Sequence, residues 1–545
     1  MIELQYRLYR YYRIVLRKIR TAIRGPKIHP VHVRAVHYFS DGWALNFWQV
    51  LNPAKLDADF RQIVEDGFNT IILVIPWSGF QNDPHKAQYD PFYIKQLDRV
   101  LAGADRHQLS VLIRVGYSHQ IPQQASISGL TQAQRLLTDP DLHALWLLYL
   151  ARVYDICRSY HCFHYGFLSW EEFWHAFPRW QRYRPLLRKK RARDTGYNRY
   201  MVDRGMGVPG IIPEADKPEH EYFHAFTNHR VAQMYEQALS VFPGLTMEVR
   251  VDKDKMTDAN GELQWLSNDS YTHLESTRLT YWAPFMGAAN EGEKLSAERA
   301  AELLSYMLEE VSEKGLYTNH IIDQFNFVDD APKFRGIHAE IESQQIAPFL
   351  TLSAPLLAEK TAGYGLWAYK DYRQNLLYNA AFRMGMQGWQ HSDKHCTIGR
   401  KGGIKLAPGA TLRQYLPARI AGLQVAKAFE QLSFRVAVDP STDPDHSLSV
   451  KINSRAWQPL GTRKDNNEFA LDVEVDYGIV LEDGVVIELR NDGATITLNA
   501  LSLYHYIFRG KIRTETGDPS LHHKAIVQLN GELARLCGEA ITASD

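Results

Sequence analysis

From about residue 31 onward, short runs of apolar, β-branched residues alternate with longer stretches whose apolar positions recur at helical spacing. The first pattern belongs to strands covered on both faces, the second to helices with one covered face. Eight strands are predicted in order, over 33–38, 69–76 (NTIILVIP), 110–117 (SVLIRVGY), 165–170, 245–251 (LTMEVRV), 279–284, 319–325 and 363–369. Helices are predicted between them over 55–66, 94–107, 142–160, 296–314 and 337–357. Parallel strands need crossover connections, and eight such units close most economically into a (β/α)₈ barrel. After about residue 378 the helical period stops, and alternating segments follow: LSFRVAV, LSVKI, FALDVEV, VVIEL and ATITLNAL, punctuated by Gly, Asp, Asn and Pro. They predict an antiparallel, jelly-roll-like β-sandwich, with one more helix over about 518–540. The expected organisation is a basic amphipathic helix (1–30), an α/β TIM barrel (31–378), a β-sandwich (379–512) and a C-terminal helical tail (513–545).

A length of 545 residues exceeds one ordinary domain and suits this division. Lys and Arg together balance Asp and Glu at 62 each, so no overall field favours nucleic acid as a partner. Cys157, Cys162, Cys396 and Cys537 form no CxxC pair and no Cys/His cluster, and there is no phosphate-binding glycine loop. Neither a metal nor another cofactor is expected, and reduced thiols fit the cytoplasm. Residues 2–24 carry Arg7, Arg10, Arg13, Arg17, Lys18, Arg20 and Arg24, with Leu8, Tyr12, Val15, Ile19 and Ile23 at helical spacing. No apolar run there makes a signal-peptide core or a membrane span. The segment reads as a helix on an anionic membrane surface or as one docked on its own barrel. The expected location is cytoplasmic, with peripheral contact at the inner membrane face. A basic insertion at about 175–220 holds Arg179, Arg182, Arg184, Arg188, Lys189, Lys190, Arg191 and Arg193. It reads as a solvated charge run, or as a lid or subsite touching an acidic sugar polymer.

Barrel chemistry sits at the C-terminal strand ends. Strand four ends in Phe167-Leu168-Ser169-Trp170-Glu171-Glu172-Phe173-Trp174, two adjacent carboxylates among large aromatics. Like charges in a partly apolar site raise one pKa toward the range a general acid needs, although such a pair can also simply open a helix. Trp77 at the end of strand two is a candidate stacking platform; His37, Asp41 and His119 are candidate hydroxyl contacts. Glu248, Arg250 and Asp252 on strand five can face the pocket, with Glu248 and Arg250 able to pair.

FLSWEEFW resembles the strand-four motif of clan A retaining glycoside hydrolases, in which Trp-Asn-Glu-Pro carries the acid/base glutamate. ALNFWQVLNPAKLDADFRQIVEDGFNTIILVIPW is similar to that clan's opening, and GYGLWAYKDY to its eighth strand. The resemblance implies Glu172 as acid/base with Glu171 in the asparagine's place, Trp367 as sugar platform and Tyr281 as active-site tyrosine. Trp170, Trp282 and Asn326, beside these motif residues, complete the expected substrate contacts. Strand seven departs from the pattern: it reads Ile322-Asp323-Gln324-Phe325-Asn326, with Gln324 where the clan carries its nucleophilic glutamate. An amide cannot form a glycosyl ester. Three readings stand. Asp323 serves as nucleophile if the register slips by one, although neighbouring strand residues point to opposite faces; an N-acetyl substrate supplies its own nucleophile, with Glu171 and Glu172 assisting; or the barrel binds sugar without cutting it. Asn379 to Trp389 resembles the Asn-x-x-Phe-x-x-Gly-x-x-x-Trp start of carbohydrate-binding jelly rolls. The expectation is a glycoside hydrolase acting on a bacterial-type polysaccharide or oligosaccharide, the basic insertion giving only a hint of an acidic one. The alternative is a non-catalytic glycan-binding scaffold of a polysaccharide assembly system.

Overall fold

The computed structural model describes residues 30–81, 89–115, 135–136, 138–168, 178–181, 183–214, 216–249, 253–257, 263–267, 278–285, 289–290, 292–313, 320–328, 338–392, 394–399, 403–416, 432–439, 448–453, 456–460, 468–473, 484–504 and 507–539. The predicted helix at 2–24 lies outside them. Eight parallel strands close into a barrel: β1 (Val33–His37), β2 (Thr70–Val74), β3 (Ser110–Val115), β4 (Phe163–Leu168), β5 (Thr246–Val249), β6 (Leu279–Trp282), β7 (Ile321–Phe325) and β8 (Gly363–Leu366). Each pairs with its neighbours in sequence, and β8 pairs with β1 to complete the ring. Every expected barrel strand is present, most of them shorter at their ends.

Three barrel helices start with the same local device. In α1 (Pro53–Glu65), α2 (Pro91–Arg106) and α3 (Pro140–Cys157), Asn52, Asp90 and Asp139 respectively precede a proline, and each side chain accepts a backbone N–H of the first turn. The cap satisfies an otherwise orphan donor, and the proline's missing N–H costs nothing at that position. The insertion after β4 holds α4 (Pro185–Asp194), α5 (Tyr197–Asp203) and the long α6 (His220–Val241). Between β5 and β6 the described residues form an antiparallel hairpin, Lys253–Thr257 with Leu263–Ser267. Helices α7 (Ala297–Glu313) and α8 (Ile346–Lys360) follow β6 and β7. Among the described residues no helix is long and apolar enough to cross a membrane.

Two five-stranded antiparallel sheets follow the barrel as a sandwich over its own core, including Leu412, Phe434, Val450, Ile487 and Leu498. The residues that carry the jelly-roll resemblance organise its entrance. Asn379 donates to the carbonyls of Gly385 and Gln387 at 2.8 and 2.9 Å and accepts from Met384 N at 3.0 Å, while Phe382 and Trp389 are buried beside each other. In this fold the motif is a packing device.

The last helix, α9 (His523–Leu536), packs on α8 and on the outer side of β8. The Tyr364 hydroxyl on β8 donates to Asn530 at 2.6 Å, and the Asn530 amide donates to the Asp66 carbonyl at 2.8 Å. Gly67 makes this approach feasible: its φ is +82°, and a Cβ there would stand 2.9 Å from the Asn530 Cβ. Helix α9 thus occupies the place of the barrel's eighth helix, and the sandwich lies between β8 and the helix that covers it. The junction is pinned electrostatically by Asp66, at the end of α1, whose side chain is 4% exposed. It accepts from Arg513 at 2.7 and 2.8 Å and from the Tyr369 hydroxyl at 2.9 Å, and it meets His523 Nε2 at 2.8 Å. Removing one partner of a buried ionic network leaves the other desolvated and uncompensated. Asp66→Ala should therefore lower the unfolding free energy in urea by about 3–5 kcal/mol. Arg535→Ala, which breaks an exposed pair with Glu532 on the same helix, should stay within about 0.5 kcal/mol. Equal effects would remove the network from its structural role.

Candidate active site

The barrel lumen changes character from bottom to top. Val33, Ala35, Ile72, Leu112, Leu279 and Ile321 fill its lower part as an apolar plug. At the C-terminal strand ends the inward positions become polar: His37 on β1, Arg114 on β3, Glu248 on β5, and Asp323 and Gln324 on β7. Arg114 and Glu248, both essentially unexposed, form an ion pair with Nη2 to Oε2 at 2.7 Å. Gln324 Nε2 donates to the other Glu248 oxygen at 3.3 Å, and Arg114 Nη1 lies 4.0 Å from Asp323 Oδ2. The guanidinium carbon is 5.8 Å from the Phe167 ring centre and 5.9 Å from that of Trp367. A guanidinium between aromatic faces and carboxylates is the arrangement in which a buried cation keeps its charge.

A β-bulge on β7 builds this cluster. Ile322 lies opposite Thr280 and Gln324 opposite Tyr281, so Asp323 is an extra residue on its strand. Side-chain direction shows the consequence: Ile322 and Phe325, three residues apart, both belong to the outer core under the helices, while Ile321 belongs to the lumen plug. Phe325 stacks on Trp282 and Phe349 at 5.2 and 5.8 Å. The residue added by the bulge lets both Asp323 and Gln324 face inward, against the expectation that neighbours alternate. The opposing strand provides the room, because a Cβ on Gly365 would stand 2.8 Å from the Asp323 carbonyl oxygen and 3.0 Å from Ile72 Cδ1.

Trp367, just after β8, is half-buried at the mouth, 4.7 Å from the His37 ring and backed by Phe39 and Trp43 at 5.3 and 5.6 Å. Its indole N–H donates to the Tyr372 hydroxyl at 3.2 Å. Across the mouth, Tyr281 packs near Phe285, which stacks on His338 at 4.0 Å. Burial, reinforced by Arg114, holds the His37 pKa well below the ordinary histidine value. Burial, with a contribution from Asp323, pushes the Tyr165 hydroxyl up.

The structure therefore brings together His37, Tyr281, Asp323, Gln324 and Trp367. Asn326 follows β7 and borders a small crevice with Trp367 and Lys511. Trp77 is placed elsewhere: it is fully buried under the helices, stacked on Tyr149 at 6.1 Å, with its N–H donated to Gln81. Trp282 likewise faces the outer core. His119, Trp170, Glu171 and Glu172 lie outside the described residues, as do Arg250 and Asp252. Glu248 pairs with Arg114 across the lumen. Arg114 is the residue that sequence reasoning missed. Its signal was a lone cation in the apolar run SVLIRV, next to last in a strand. No group of three or more His, Cys, Asp or Glu among the described residues is placed to hold a metal ion.

Arg114→Met leaves Glu248 buried without its counter-charge and should cost about 3–5 kcal/mol of stability in urea; adding Glu248→Gln should recover part of that loss. A double variant as unstable as the single one would refute the pairing as the cause. His37 should stay neutral at about pH 6, where an ordinary histidine is largely protonated. The unfolded chain takes up a proton that folded His37 refuses. Its contribution to stability is thus complete above about pH 6.5 and falls as the pH drops below that value. Titration of its ring protons by NMR checks this directly.

No protein-family model matches the sequence, and no curated protein matches it. Among solved structures, an exo-β-1,4-mannosidase from Opitutaceae bacterium strain TAV5 is similar at 12% identity and a TM-score of 0.39, over 63% of this chain and 52% of that one. The present chain thus spans about half the length of that protein. A GH5_18 protein from Streptomyces cattleya, solved with GlcNAc, is similar at 15% identity and a TM-score of 0.40, over 63% of this chain and 72% of that one. A GH5_18 variant from Bifidobacterium longum, solved with Manβ1-4GlcNAc, gives 13% identity and a TM-score of 0.40, over 62% and 70% of the two chains. Similarity at this level carries no residue-by-residue correspondence, and the closed barrel rests on the strand pairing of this chain itself.

Proposed function

We propose that the chain is a glycoside hydrolase working at the C-terminal mouth of its barrel, with Glu172 as proton donor and Asp323 as the second carboxylate. The observation that carries this reading is the β7 bulge, which turns Asp323 into the lumen beside Arg114 although Gln324 holds the nucleophile's usual place. In the proposed reaction an Asp323 oxygen attacks the anomeric carbon while Glu172 gives its proton to the departing oxygen. A glycosyl ester forms; Glu172 then takes a proton from water, which displaces Asp323 and regenerates both groups. Trp367 offers a flat face to the sugar, and His37, held neutral, offers a ring nitrogen at the base of the pocket. Gln324 anchors Glu248 through its amide, a task in which a carboxylate at that position would repel.

One observation favours the second reading, a glycan-binding scaffold that does not cut. Asp323 and Glu248 are fully enclosed and engaged by Arg114, as charges with a purely structural role are. Turnover of a panel of defined oligosaccharides separates the two. On any cleaved substrate, Glu172→Gln should lose about 10²–10⁴-fold in rate. Asp323→Gly should lose activity as well, and sodium azide should restore it with a glycosyl azide as product. Full activity in Asp323→Gly would end its role as nucleophile. Binding by the wild-type chain without any product would end the hydrolase reading in favour of the scaffold.

A further inference from the structure

A cavity of about 450 Å³ opens between the start of α3 and the insertion that follows β4. It is the size of a small-ligand pocket. Its walls come from segments that leave the C-terminal ends of two adjacent strands, β3 and β4, the second of which runs on to Glu171 and Glu172. Arg193, Thr195, Arg230, Gln233, Gln237 and His143 supply most of its polar lining.

The two carboxylates in the wall are already matched. Asp139 caps α3 by accepting from Leu142 N at 3.1 Å and pairs with Arg135 at 2.9 Å, and Asp194 pairs with Arg193 Nε at 3.2 Å. Arg230 projects from α6 with Nη1 3.4 Å from Gln233 Oε1, and burial holds its pKa below the ordinary arginine value. A guanidinium in such a wall gains from an anionic guest. His143 is kept toward its neutral form by burial, its Nδ1 3.2 Å from the Leu136 carbonyl. The basic run of α4 divides by direction. Arg188 turns inward as a strut, bonded to the Ile212 carbonyl and to Glu214, whereas Lys189, Lys190 and Arg193 are exposed, and Arg193 lines the cavity. No Phe, Tyr or Trp lines the cavity among the described residues, so recognition there works through charge, amides and hydroxyls rather than stacking on a large ring.

We propose that this cavity is a subsite for the carboxylate-bearing sugar of an acidic glycan, which makes the substrate class an anionic polysaccharide. Its place on a substrate path rests on the hydrolase reading of the barrel; its ability to bind rests on its own residues. Calorimetry of the full chain with trigalacturonate and with the neutral trisaccharide maltotriose tests it. Trigalacturonate should bind, maltotriose should not compete, and binding should weaken as sodium chloride rises. Arg230→Gln should weaken binding about tenfold or more, since a charge-assisted contact is lost, and Arg193→Gln should weaken it several-fold. Circular dichroism shows whether Arg230→Gln is folded; if it is not, exposed Arg193 decides. Equal affinity for the neutral sugar, or no loss in the folded arginine variants, overturns the assignment. Arginine-dependent binding without any cleavage leaves the subsite standing and removes only the barrel chemistry; cleavage of neutral glycans alone, without arginine dependence, does the reverse.

Discussion

Parallel strands must be covered on their outer faces, because each buried ladder presents apolar side chains on both sides. At the seam where β8 meets β1, that cover comes from α9, more than a hundred and fifty residues further along the chain. The barrel therefore cannot be completed by its own contiguous segment. It waits for the chain to build a sandwich and return, and the return is secured by a small, dry cluster of polar groups. Asp66 is the hub: its carboxylate receives Arg513, Tyr369 and His523, while its own backbone carbonyl receives Asn530. Closing so long a loop carries an entropic cost, which a buried charge-assisted network and the apolar face of α9 together offset.

The same economy of buried charge shapes the lumen. Below, the barrel is apolar and needs no pairing; above, Arg114 compensates Glu248 and approaches Asp323, and Gln324 supplies a further donor to Glu248. The bulge on β7 and the bare backbone of Gly365 are two halves of one solution, since the extra residue needs the space that a side chain on β8 would fill. Bulges beside reactive centres commonly serve to re-aim a side chain. Here one turns a strand that reads as lacking its carboxylate into a strand that presents one from the preceding position.

The insertion after β4 and the sandwich illustrate how a motif divides between packing and exposure. Arg188 and Asn379 both belong to segments suggestive of ligand recognition, yet each ties its own backbone together. Lys189, Lys190 and Arg193 are exposed instead, and Arg193 and Arg230 border a cavity.

Period alone determined a great deal. The eight barrel strands, five of the helices between them and the alternating strands of the sandwich were legible because apolar spacing reports which face of a segment is buried, a local property. The partner of each segment was not. That α9 belongs to the barrel depends on Gly67, Asn530 and Asp66 meeting across the fold, and nothing in the tail's own residues announces it. Arg114 looked like a lone charge in a strand, and Glu248 could be matched only to its nearest cation in sequence. Its pair with Arg114, 134 positions away, arises when the ring closes and two inward-facing ends approach. The inward turn of Asp323 likewise depends on a register shift against β6 and a vacant Cβ on β8. The sequence by itself settled the order and faces of the elements, which local chemistry controls. Which charges meet in the lumen was decided only by the tertiary structure, because burial forces compensation between whatever side chains the closed barrel brings together.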